Sequence, residues 1–173
     1  METPFTVTAP GVVVGTPHVH QADRYHGGLG EYHMRLRLAV KDALPLIAQI
    51  EAQLQEFIDE RTANGQPTSS TLAPYPYKPE GESFLFSFKR AAATGRLRGK
   101  QLQTPPAIYD ESATAKSNIR IVNGSLVRVS FHSAPYYSNL LVGCGVKLDM
   151  VAIQALANYK TIGRAVASHG FAE

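Results

Sequence analysis

The chain has 173 residues, 44% of them hydrophobic and 18% charged, which suits one globular domain and excludes a disordered protein. No apolar run approaches the ~18 residues of a membrane span, and METPFTVTAPG lacks the basic and apolar regions of a secretory signal. The lone Cys144 rules out an intramolecular disulfide or a cysteine-rich zinc site; within LLVGCGVKL it reads as a small buried hydrophobe in a reducing, cytoplasmic setting.

Net charge is +3 and the isoelectric point about 9.0, but the distribution says more than the total. Residues 41–61 hold Asp42, Glu51, Glu56, Asp59 and Glu60 against Lys41 and Arg61. Residues 86–147 hold nine bases (Lys89, Arg90, Arg96, Arg98, Lys100, Lys116, Arg120, Arg128 and Lys147) against Asp110 and Glu111. Such asymmetry draws a polyanion to one region, although a plain solvated surface gives the same count.

In chain order, residues 6–14 are apolar and β-branched, broken by Pro10 and Gly11, and read as a strand with a bulge or bend. Residues 15–30 are rich in Gly, His and Pro and read as a loop. EYHMRLRLAV alternates, with Tyr32, Met34, Leu36, Leu38 and Val40 on one face and His33, Arg35 and Arg37 on the other. A helix follows, capped by Asp42, with Pro45 tolerated in its first turn and Ile47, Ile50, Leu54, Phe57 and Ile58 forming one apolar stripe. Asn64-Gly65 ends it, and 66–82 reads as a proline-rich loop.

SFLFSFKR is a strand with Phe84, Phe86 and Phe88 on one face. A small-residue turn leads to residues 96–103, where a strand would point Arg96, Arg98 and Lys100 the same way. Residues 104–123 read as loop with a short strand at Ala107–Tyr109. SLVRVSFH is a strand, APYYSN a turn and LLVGCGVKL a strand. Asp149 then caps a last helix, MVAIQALANYK. The expectation is a mainly β fold with two helices: a small Greek-key barrel with one helix between strands and a short C-terminal one. Residues 1–160 form the single domain and 161–173 a flexible tail.

Binding single strands without sequence preference needs cations that track phosphates and rings on which bases stack. The window from Tyr75 to Tyr137 holds both, with nine of the fifteen aromatics. Tyr75-Pro76-Tyr77-Lys78 offers two rings and a cation on a stiffened loop, and Tyr136-Tyr137 offers two more rings. Phe84, Phe86 and Phe88 fit a barrel interior better than a stacking platform. Arg35 and Arg37 read as a solvated face. His18, His20, His26 and His33 cluster, and His18-x-His20 has chelating spacing; Asp23 and Glu31 are present beside them but complete no known ligand pattern, and incidental loop histidines are the simpler reading. No metal or cofactor is expected. There is no P-loop and no GxSxG; Gly27-Gly28-Leu29-Gly30 precedes a strand and is no dinucleotide fingerprint, and Asp110-Glu111 is a lone acidic pair. An enzyme is not expected.

An ordered series of segments carries a resemblance: YHMRLRLAVKDALPLIAQIEAQL, TPPAIYDESATA, NGSLVRVSFHSAPY and GVKLDMVAIQALANYK, together spanning roughly residues 30–160. In their order and spacing the chain resembles the OB-fold single-stranded DNA-binding proteins of tailed bacteriophages. The resemblance implies a five-stranded barrel with a helix between strands. It implies sequence-nonspecific single-stranded DNA binding in replication and recombination, in the cytoplasm of the infected host and with no membrane. Dimers, and an acidic C-terminal tail that recruits replication proteins, are implied as well. Carried onto these positions, the groove uses Tyr75, Tyr77, Lys78, Lys89, Arg96, Arg98, Lys100, Arg128, Tyr136 and Tyr137. The chain departs from the family at its end, SHGFAE, where Glu173 is the only acid after Asp149. Two other readings stand beside this one: a protein-interaction or structural phage module, and a metal-dependent nuclease or hydrolase built on the histidine-rich segment.

Overall fold

The computed structural model describes residues 5–25, 28–68, 75–94, 101–139 and 143–162. In chain order the elements are β1 (Thr6–Val7), β2 (Gly11–Asp23), β3 (Glu31–Ala39), α1 (Val40–Ala63), β4 (Tyr77–Glu80), β5 (Ser83–Ala91), β6 (Ala93–Thr94), β7 (Gln101–Leu102), β8 (Ala107–Tyr109), β9 (Ile119–Arg120), β10 (Leu126–Ser138), β11 (Gly143–Ala157) and β12 (Lys160–Thr161). Five of them close a ring, β2-β3-β5-β11-β10 and back to β2. Every pair in the ring is antiparallel except β5 with β11, which run parallel where Lys89 meets Asp149. Numbered 1 to 5 along the chain, the ring strands lie in the order 1-2-3-5-4, so the ring is closed by one crossover. That is the five-stranded Greek-key barrel of the OB fold.

Alternation builds the interior. Met34, Leu36 and Leu38 of β3, Phe86 and Phe88 of β5, Val127, Val129 and Phe131 of β10, and Leu148 and Met150 of β11 are all buried. Phe88 and Phe131 meet edge to face with centroids 5.3 Å apart. Helix α1 packs against β3, β5, β10 and β11 and contributes Ala43, Leu46, Ile47, Ile50 and Leu54 to the same core. Its C-terminus closes as a Schellman motif: the N–H of Gln66 donates to Arg61, that of Gly65 to Thr62, and Gly65 takes φ +68. Cys144 is buried, as a small hydrophobe should be.

The structure corrects several expectations. There is no C-terminal helix at 149–160: β11 continues as strand to Ala157, and Asp149 pairs across it with His132. Bulges explain the misreading. Phe131 faces Met150 but Ser130 faces Ala152, so Val151 is an extra residue, and Leu156 is another. Each bulge flips the inward parity. The buried series Leu148, Met150, Ile153, Ala155 therefore contains a step of three that imitates a helix stripe. APYYSN is not a turn either, because β10 runs through Tyr136 and Tyr137 to Ser138.

Residues 15–23 are strand rather than loop. β2 stays paired to β3 through two register shifts, and Gly15 (φ +78) and Pro17 occupy the first of them. Residues 77–80, expected in a loop, are the edge strand β4, which tolerates Pro79. Asp42 does not cap α1: Ala39 is the N-cap, Asp42 lies in the first turn, and Pro45 falls in the second. Val40 starts the helix and is exposed instead of extending the inward face of β3. Among the described residues no helix is long and apolar enough to cross a membrane.

Candidate functional site

Outward residues of three ring strands form a groove. On β3 the alternation that sends Met34 inward sends His33 and Arg35 outward. Register sets Arg35 opposite Ser87 and His33 opposite Lys89 of β5, and the parallel contact brings β11 alongside, with Lys147 two residues before Asp149. Two depressions share Glu31, Ser87 and Lys89 in their lining and so adjoin along this face as one groove. One end is lined by Asp23, His33 and Arg35, and the other by Tyr75, Pro76, Tyr136 and Lys147. The small side chain of Ser87 keeps the floor low, and the Ser87 N–H donates to the Pro76 carbonyl (2.8 Å), which ties the Tyr75 segment to the rim.

The cations divide into two groups. Arg37 is held by Glu80 and Arg90 by Asp149, the latter from 3.2 Å to both carboxylate oxygens. Arg35, Lys89 and Lys147 have no ion pair among the described residues. Arg35 lies over Gly15, where a Cβ would come within 2.8 Å of its guanidinium. The rings divide as well. Tyr75 is exposed, with its ring stacked on Tyr77 at 5.2 Å. Tyr77 is fixed: its hydroxyl donates to Glu51 of α1 (2.9 Å) and its ring packs on Phe84 and Phe86. Burial and the Glu51 carboxylate push its phenol well above the ordinary range. Tyr136 lines the groove, opposite Gly145, which has no side chain to cover it. Tyr137 carries the Arg61 guanidinium 4.3 Å above its ring.

Of the residues named from sequence, the structure therefore brings Tyr75, Lys89 and Tyr136 into one groove. Tyr77 and Tyr137 lie behind its rim, packed into the fold. Lys78 is exposed on β4, outside the groove lining. Arg128 is exposed on β10 in a separate depression with Val7, Tyr109 and Gln154. Arg96, Arg98 and Lys100 lie outside the described residues; the flanking β6 and β7 pair with each other. Sequence reasoning missed Arg35, His33 and Lys147 as site residues. The alternation of β3 and β11 set them on outward faces, but only the register of three strands shows that those faces adjoin.

In the OB fold, the face of ring strands 2 and 3 with the loops after strands 1 and 4 takes oligonucleotides. Here those strands are β3 and β5, the groove floor. Comparison by sequence finds no match, either to a family model or to a curated protein. Comparison of structures does find matches. The chain is similar to gp2.5, a single-stranded DNA-binding protein encoded by bacteriophage T7, with a TM-score of 0.74 and 20% identity over 99% of this chain and 96% of that one. It is also similar to the single-stranded DNA-binding protein of bacteriophage Enc34 in complex with single-stranded DNA (TM-score 0.62, 9% identity, 92% and 89% covered). A C-terminal truncation of the Enc34 protein matches at TM-score 0.58 with 10% identity, covering 91% and 87%. The chain has the fold of phage single-stranded DNA-binding proteins. At these identities the likeness is one of fold, and it covers nearly the whole of each chain.

Proposed function

We propose that this protein binds single-stranded DNA along the β3–β5–β11 groove, without sequence preference, in phage DNA replication and recombination in the cytoplasm of the infected host. One observation carries the reading: Arg35, Lys89 and Lys147, unpaired among the described residues, line the same channel as the rings of Tyr75 and Tyr136. Cations spaced along a channel track phosphates, and half-exposed rings take unpaired bases whatever their identity. The fold shared with the T7 and Enc34 proteins supports the same reading. The role is binding and not catalysis. Of the carboxylates that line the channel among the described residues, Asp23 is engaged by His33 and Glu31 lies at the junction.

Self-association into a dimer and contacts with replication proteins come from the family resemblance; sedimentation of the free and DNA-bound protein reads the first. The direct test is fluorescence anisotropy of a labelled oligo-dT of about thirty bases, long enough for site sizes of ~4–16 nucleotides, beside a duplex of equal length at two salt concentrations. Tight, salt-sensitive binding of the single strand and weak binding of the duplex are expected. No binding at low salt overturns the proposal.

A further inference from the structure

At the end of the groove away from Tyr75, three side chains from two strands converge. His33 Nε2 lies 2.9 Å from Asp23 Oδ2, and His18 Nε2 lies 4.0 Å from the same oxygen. The two imidazole rings are 4.6 Å apart, and the ligand atoms all fall within 4.8 Å of one another. Zinc at ~2.0–2.1 Å from N and O ligands holds tetrahedral neighbours about 3.4 Å apart. The observed spacings bracket that value, so small side-chain movements suffice.

The backbone prepares the set. His18 and His33 are cross-strand partners, and the register shift of β2 between His18 and Asp23 brings the carboxylate back to the same point. Asp23 Oδ1 accepts the Tyr25 N–H (2.9 Å), which turns Oδ2 toward the histidines, as an outer contact orients a metal ligand. His20 is not a member: its Nε2 accepts the Ile121 N–H (3.0 Å), so the His18-x-His20 pair noted in the sequence is not the chelating one. The pair instead joins His18 to His33, fifteen positions on, across the sheet.

We infer that His18, Asp23 and His33 bind one zinc-class divalent cation, leaving a fourth coordination position for water or an anionic oxygen. Two imidazoles and a carboxylate are ligands suited to such an ion. Asp23 and His33 line the groove, so the ion replaces the negative charge of Asp23 with a net positive one. Metal binding itself does not depend on the proposed DNA function.

The test uses the full chain, stripped of metal, and needs no DNA. Zn2+ is titrated in competition with a chromophoric chelator, and Co2+ serves as a visible-absorption probe of coordination. The expected result is one ion per chain and four-coordinate Co2+ bands, with Asp23→Asn and His33→Gln each weakening binding at least tenfold. The double variant His26→Gln/His169→Gln, which leaves the three ligands intact, is expected to bind as wild type. No zinc uptake by the wild type, wild-type binding by Asp23→Asn and His33→Gln, or loss of binding in the double variant each overturns the inference. If a ligand variant does not fold, the imidazole NMR resonances of the wild type decide. Zinc-induced shifts at His18 and His33 support the site, and shifts confined to other histidines overturn it.

Discussion

The two tyrosine pairs of the rim, Tyr75/Tyr77 and Tyr136/Tyr137, use the same residue type for opposite ends. Tyr75 and Tyr136 face the groove, whereas Tyr77 is tied to Glu51 and two phenylalanines and Tyr137 lies under Arg61. The division follows from backbone geometry. Tyr136 and Tyr137 are neighbours on β10, and successive side chains of a strand take opposite faces. Tyr75 and Tyr77 flank a bend at Pro76 and their rings stack, so the inner ring supports the outer. A ring near a binding surface is therefore a contact or a prop depending on what lies behind it.

The largest effect expected is on the cations of that surface. Replacing Arg35, Lys89 and Lys147 together with Ala should weaken single-strand binding on the order of a hundredfold at low salt, and flatten the salt dependence by about 2 in log–log slope. Titrations at several salt concentrations check both numbers. Next come the outer rings. Tyr75→Ala and Tyr136→Ala should each lose about 1–3 kcal/mol of binding with little change in thermal stability. Tyr77→Ala and Tyr137→Ala should reverse the pattern, losing about 2 kcal/mol of folding stability while the folded fraction still binds. Equal losses of binding in all four variants would erase the distinction. A smaller probe is Tyr77→Phe, which keeps the ring and deletes the hydroxyl bond to Glu51; urea denaturation should show a loss of about 0.5–1.5 kcal/mol.

The smallest effect depends on pH. Partial burial, reinforced by Arg120, lowers the pKa of His20, whose ring accepts the Ile121 N–H. The unfolded chain then binds the proton more readily than the folded one. The contribution of His20 is full above its ordinary pKa of about 6.5 and declines as pH falls below that toward the folded value. His20→Gln should flatten that part of the stability profile, measured by denaturation between neutral and mildly acid pH. Because His20 lies outside the groove lining, DNA affinity of the folded protein should change little.

Much of the fold was legible because alternation survives in β3, β5 and the first half of β10, and because α1 carries one apolar stripe. The bulged strands were not legible. In β11 the extra residues Val151 and Leu156 convert a period of two into a step of three, and in β2 the segment around Gly15 and Pro17 hides a paired strand. The site was half legible for a related reason. Composition drew attention to tyrosines and cations, and it named Tyr75, Lys89 and Tyr136, which line the proposed groove. Arg35 and Lys147 belong to strands far apart in sequence, joined through β5 by a parallel crossover with no local signature. The same long-range register joins His18 to His33.

The most direct test of the central claim compares the salt dependence of oligo-dT binding by the wild type and by the Arg35/Lys89/Lys147→Ala variant. A steep slope for the wild type and one shallower by about 2 for the variant is the expected result. Two superimposable lines would show that the strand does not run along this groove.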